Sequence, residues 1–184
     1  MALTWARIAF IPLIVGVFYV PDALVSPHMK NVLACIMFII AAITDALDGY
    51  IARNYNMATM MGAFLDSVAD KLVVCSAIVV LLAFDRVDMI VALIIVGREI
   101  AVTALREWMA KIGAAATVKV NWFGKIKTIA QMTAIPMLLF FDPFFGIDIY
   151  LVGTVLIWVA AVLTVYSMFA VSYTHLRAHE TSLH

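Results

Sequence analysis

The sequence predicts an all-α fold, a polytopic membrane protein built as a bundle of six transmembrane helices, and three observations carry that prediction. The chain is 66% hydrophobic and 13% charged, with a mean hydropathy of +1.08, whereas soluble domains run near ~45–50% apolar and ~25% charged. A soluble chain of 184 residues has too much surface for its volume to hide so much apolar area. Next, the apolar residues gather into six stretches, of the length, about 20 residues, that a helix needs to cross hydrocarbon. Finally, the breaks between stretches are short, and spans joined so closely satisfy their backbone groups in lipid only as helices.

In chain order, the first stretch is Leu3–Val20, ended by Pro21-Asp22. No small-residue cleavage site follows it, so a membrane span is expected rather than a removable leader. The second, Met29–Ile51, starts after Ser26-Pro27 and ends at Arg53-Asn54-Tyr55-Asn56. The third, Met57–Phe84, stops at Asp85-Arg86-Val87-Asp88, and the fourth covers Val87–Met109. After Lys111 comes the small-residue stretch Gly113–Thr117, then the fifth span, Trp122–Phe141, which Asp142-Pro143 terminates before the sixth, Ile147–Val171. No internal repeat or hinge indicates a second domain. Cys35 and Cys75 lie inside apolar runs without metal-ligand spacing and read as small hydrophobes. The formal net charge is zero, and no nucleic-acid partner is expected.

Placement of the cations is more informative than their sum. With six spans, Arg7, Arg53, Arg98, Arg106, Lys111, Lys119, Lys125 and Lys127 fall on the side that holds both termini, and Lys30 and Arg86 on the other. That asymmetry places the first side in the cytoplasm.

Four aspartates stand in or beside apolar spans: Asp45 and Asp48 in the second, Asp66 and Asp70 in the third. An ionisable group inside a span costs about 2.5–3.5 kcal/mol even on the lenient insertion scale, and therefore defaults to a functional reading. Spacings of three and four put each pair on one helix face. A hairpin through Arg53–Asn56 brings the two pairs together, where four carboxylates stay ionised only with cations among them. Oxygen donors of this kind suit Mg²⁺, Mn²⁺ or Ca²⁺ rather than zinc, and two divalent ions balance four carboxylates. Gly49, Ala52 and Gly62 clear room for a close approach, and Arg53 is at the membrane edge, where a guanidinium can fork onto phosphate.

The segment from Asp45 through Asp48, Gly49, Ala52, Arg53 and Gly62 to Asp66 and Asp70 resembles the signature D-x2-D-G-x2-A-R-x8-G-x3-D-x3-D of the CDP-alcohol phosphatidyltransferase family, with every fixed position present. Residues Leu3-Thr4 through Arg7 and Pro12, Gly62–Lys71, Arg98–Met109 and Asn121–Gln131 are similar to one bacterial branch of it. The resemblance implies transfer of the phosphatidyl group of CDP-diacylglycerol to sn-glycerol 3-phosphate, giving phosphatidylglycerophosphate and CMP. By the same resemblance, Asp45, Asp48, Asp66 and Asp70 hold two divalent ions, Mg²⁺ or Mn²⁺. The nucleotide rests against Asp45, Asp48, Gly49, Ala52, Arg53 and Gly62, and Asp70 is the base that deprotonates the acceptor. It also implies a multi-pass protein of the bacterial inner (cytoplasmic) membrane, its site facing the cytoplasm among membrane lipid, and a homodimer.

Acceptor-side residues follow from charge. Arg98 and Arg106 are eight apart, near two helical turns, and share a face. As bidentate phosphate clamps they rank first, with Lys125 and Lys127 at the start of the next span and Lys71 beside Asp70. Glu99 and Glu107 each follow an arginine, either orienting the basic residues or pairing with them. Other acceptors (inositol phosphate, serine, a phosphatidyl lipid) share the aspartates, and an ion transporter is the reading from another class; it would show discontinuous helices and related halves. Two departures stand out. The Asn-x-Pro stretch usual before Leu-Thr in the family is absent ahead of Leu3-Thr4, and Val171–Thr181 resembles the translation of a sequencing-library adapter. The expected division is therefore a phosphatidyltransferase domain over 1–171 and a non-native tail over 172–184, in which His175 and His179 carry no metal site.

Overall fold

The computed structural model describes residues 2–55, 60–111, 122–143 and 146–181, with side chains described for 7–45, 47, 68–104, 126–143 and 146–166. Within these residues the chain is all helical, with no β-strand: α1 (Ala2–Tyr19), α2 (Pro27–Tyr55), α3 (Met60–Ala83), α4 (Met89–Lys111), α5 (Trp122–Phe140) and α6 (Ile149–Thr181). The ends follow the local chemistry. Pro27 opens α2 behind Ser26, whose Oγ accepts the Met29 amide at 3.3 Å. Asp88 and Asp148 cap α4 and α6 in the same way, accepting from Ile90 N (2.7 Å) and Leu151 N (3.1 Å). The α3 helix closes on Asp85 at φ 54°, with Arg86 N donating to Leu81 O and Asp85 N to Leu82 O, which satisfies carbonyls the helix leaves open. Phe141, at φ 62°, stops α5 just before Asp142-Pro143.

Two helices outrun their expected ends. The α2 helix continues past Ile51 to Tyr55 and α6 past Val171 to Thr181, because neither extension contains a glycine or proline to halt it. Arg53 thus occupies the last turn of α2 rather than the loop.

The packing is that of a bundle. The closest partners are α5 and α6; α1 lies against α2 and α3, α2 against α5, and α4 against α3 and α6. Gly153 permits the α5–α6 approach, since a Cβ there would meet Leu138 Cγ at 3.0 Å and Met137 Cβ at 3.2 Å. Ile14, Phe38, Ile78, Leu81, Ile95, Ile135, Leu138 and Ile157 form the centre of the core.

The exterior inverts the soluble pattern. Ile36, Ile43, Leu47, Val79, Leu93, Ile129, Leu151, Trp158 and Val162 face outward, while Arg7, Lys30, Glu99, Lys127 and Gln131 are buried. Apolar outside with charge inside is the arrangement of a membrane protein. Among the described residues, two helical segments, Pro27–Asp45 and Ile149–Tyr166, are long and apolar enough to cross a membrane, and Arg7–Tyr19 and Ile126–Phe140 are shorter apolar helices. Hydroxyls on the helices donate back to the carbonyl four residues earlier, as Thr44 does to Ile40 O, Ser76 to Leu72 O and Thr154 to Tyr150 O, which leaves few bare donors facing lipid.

Candidate active site

The end of the bundle where α1 begins and α2 ends is where the predicted acids and bases meet. Asp45 is nearly three turns from the α2 terminus, and its Oδ1 receives Arg7 Nη1 of α1 at 3.1 Å. Arg7 is only 1% exposed, a cost that the desolvated guanidinium recovers only through paired contacts. On α3, Asp70 Oδ2 is joined to the ammonium of its neighbour Lys71. Lys71 lies within electrostatic reach of Asp45, Asp70 and Glu99 alike. One acid of α2, Asp45, and one of α3, Asp70, thus both act on Lys71.

Beside this pair is a cluster centred on Glu99 of α4. Lys127 Nζ of α5 meets Glu99 Oε1 at 2.6 Å, and Arg98 Nη1 reaches the same oxygen at 3.3 Å. Lys71 Nζ of α3 stands 3.8 Å from Oε2. A single carboxylate thus faces cations from three helices. Lys127 is 1% exposed, whereas the side chains of Arg98 and Lys71 are 15% and 32% exposed. The Nε of Arg98 and the Oε1 of Gln131, one turn beyond Lys127, are buried with no hydrogen-bond partner among the described residues, which marks polar capacity held in reserve.

Of the sequence-predicted site residues, the described side chains are therefore Asp45, Asp70, Lys71, Arg98 and Lys127, and all five fall at this end. The side chains of Asp48, Gly49, Ala52, Arg53, Gly62, Asp66, Arg106 and Lys125 lie outside the described residues; their backbone is helical, in α2, α3, α4 and α5. The sequence pointed to Arg7 for orientation and for the family-branch resemblance but not as a site residue, although its position in an apolar span was the available signal. It left Glu99 between two roles, and the structure brings it to Arg98 but more closely to Lys127.

Asp45 and Asp70 offer carboxylate oxygen, the donor that hard divalent cations select. Among the described residues no three acidic, histidine or cysteine side chains gather tightly enough to hold an ion. In chemistry the four aspartates, Asp45, Asp48, Asp66 and Asp70, fit such a cation.

A helical membrane bundle with carboxylates from two helices set beside a basic cluster is the form of an enzyme acting on phosphate esters at a lipid surface. The chain matches the CDP-alcohol phosphatidyltransferase family over residues 1–166 and belongs to that family, whose members generally use divalent metal ions. It is similar to the CDP-diacylglycerol–glycerol-3-phosphate 3-phosphatidyltransferases of Salmonella typhimurium and Escherichia coli K12, at 43% identity in each case, over 90% of this chain and 88% of the relative. The enzyme of the same name from Shigella flexneri is 44% identical with the same coverage.

Proposed function

We propose that the protein transfers the phosphatidyl group of CDP-diacylglycerol to sn-glycerol 3-phosphate, releasing CMP, from six membrane-spanning helices in a bacterial inner membrane. The observation that carries this reading is that, at one end of the bundle, Asp45 pairs with Arg7 while Asp70 pairs with Lys71, which faces Glu99 together with Arg98 and Lys127. The excess of Lys and Arg at that end supports a cytoplasmic site, the compartment of a phosphorylated polyol. Asp45, Asp48, Asp66 and Asp70 would hold two divalent ions, Mg²⁺ or Mn²⁺, and the chemistry such ions supply there is neutralisation of charge on the pyrophosphate.

The chain's own residues do the rest. Asp48, Gly49, Ala52, Arg53 and Gly62, with Asp45, form the nucleotide side of the site. Lys71 engages one oxygen of Asp70, Oδ2, and the other is the base that takes the proton of the attacking hydroxyl. Arg98 and Lys71, the partly exposed members of the basic cluster, bind the acceptor's phosphate together with Arg106 and Lys125, and Lys127 adds its charge from beneath. Arginine forks give that phosphate a fixed orientation, which brings the hydroxyl to the β-phosphorus. A homodimer is the assembly proposed.

The test is purified protein in detergent with CDP-diacylglycerol and Mg²⁺ or Mn²⁺, offered glycerol 3-phosphate, inositol phosphate, serine and phosphatidylglycerol in turn, with CMP release measured. Metal-dependent release with glycerol 3-phosphate alone is the expected result. Release with a different alcohol would reassign the acceptor, and none with any alcohol would overturn the transferase reading.

A further inference from the structure

Glu99 is chemically out of place in a phosphate site. A carboxylate repels a phosphate, and one buried in a bundle bears a heavy desolvation cost unless its partners are well placed. Its placement resolves both difficulties. Oε1 receives Lys127 at 2.6 Å and Arg98 at 3.3 Å, while Oε2 faces Lys71 at 3.8 Å. These three cations come from α3, α4 and α5, so Glu99 fixes where three helices present positive charge. Three cations against the two carboxylates Asp70 and Glu99 leave the cluster net positive.

The partners are not equivalent. Lys127 is sealed from solvent and bound to Glu99 at 2.6 Å, whereas Arg98 gives that carboxylate only Nη1 and keeps a buried, unpartnered Nε. A guanidinium tethered by one nitrogen, with other donors unspent, is preorganised for an incoming oxyanion. The carboxylate behind it removes the rotamer freedom that binding would otherwise have to freeze.

We infer that Glu99 is a positioning residue for the acceptor: backed by the buried Lys127, it aims Arg98 and Lys71 at the phosphate of the incoming alcohol. The inference rests on the proposed assignment of this cluster to the acceptor. Glu99 itself touches no substrate.

The test compares Glu99→Gln, Glu99→Asp and the double variant Glu99→Gln/Lys127→Met with the wild type, all as full-length protein in detergent. Three quantities are read: KM for glycerol 3-phosphate, KM for CDP-diacylglycerol, and the thermal unfolding midpoint. Glu99→Gln is expected to raise KM for glycerol 3-phosphate by about tenfold, the worth of one lost charge-assisted hydrogen bond, with a clearly smaller change for the lipid. Glu99→Asp, which keeps the charge, recovers part of that loss. Replacing both members of a buried pair relieves the unpaired charge, so the double variant should regain unfolding temperature over Glu99→Gln while its KM for glycerol 3-phosphate stays raised. Recovery of that KM together with stability would show a purely structural role and overturn the inference, as would equal rises in both KM values. Should Glu99→Gln not fold, Glu99→Asp decides: a KM for glycerol 3-phosphate raised more than that for the lipid is expected, and both KM values unchanged or equally raised would overturn the inference. A wild type that does not saturate with glycerol 3-phosphate removes the acceptor assignment itself, whereas a wild type that does, beside a Glu99→Gln of unchanged KM, removes only the role of Glu99.

Discussion

The two ends of the bundle use their charges differently. At the end opposite the aspartates, Lys30 donates to Val20 O and pairs with Asp22 at 2.5 Å, closing the turn between α1 and α2. Arg86 donates to Leu139 O at 2.9 Å and to Asn31 Oδ1 at 2.7 Å, within 5.8 Å of the ring centres of Phe18, Phe84 and Phe141. Burial draws the Arg86 guanidinium below its ordinary pKa, and Asp142 opposes that. Here cations are consumed by carbonyls, rings and one exposed carboxylate, which is helix capping and packing. At the aspartate end one buried carboxylate, Glu99, faces three cations, with a donor left over at Arg98. Among the described residues, the buried polar side-chain atoms without a hydrogen-bond partner are Arg7 Nε, Arg98 Nε and Gln131 Oε1, on the side of the proposed site.

Substitutions sharpen this contrast. The largest effect is expected from Asp70→Asn or Asp66→Asn, which should cut CMP release by about a hundredfold or more, the usual loss when a general base or metal ligand is neutralised. The unfolding midpoint should barely move. Near-normal turnover in either variant would break the assignment of that end to chemistry. Next comes Arg98→Ala, where loss of a charge-assisted phosphate contact should raise KM for glycerol 3-phosphate about tenfold or more and leave the lipid's KM nearly alone. Arg86→Ala should do the converse: about 1–3 kcal/mol of stability lost as Asn31 and Leu139 O are stranded, read by unfolding in detergent, with both KM values kept. The smallest is Asp142→Asn. It weakens the exposed His28–Asp142 pair of 2.7 Å and should cost no more than about 1 kcal/mol.

How much of this was legible in the sequence depends on the distance over which each feature is encoded. Helix limits are local, and apolar runs punctuated by Ser26-Pro27, Asp88 and Asp142-Pro143 placed all six helices among the described residues, with α2 and α6 running long for want of a breaker. The aspartates were legible because carboxylates in apolar runs at helical spacing have few bland explanations. Partnerships across helices were not. Arg7 and Asp45 are far apart in sequence, as are Glu99 and Lys127, and nothing local distinguishes an arginine that anchors a helix from one that seats a carboxylate. Lys30 was read as a topology marker, whereas its ammonium also closes α1 through Val20 O.

The central claim is that the aspartate end holds a divalent cation and the opposite end does not contribute to holding it. Titrating purified protein with Mn²⁺ and following the EPR signal of the free ion tests that without any turnover. The account predicts that wild type and Arg86→Ala bind Mn²⁺ alike while Asp70→Asn binds it far more weakly. Wild-type affinity retained in Asp70→Asn, or lost in a folded Arg86→Ala, would contradict it.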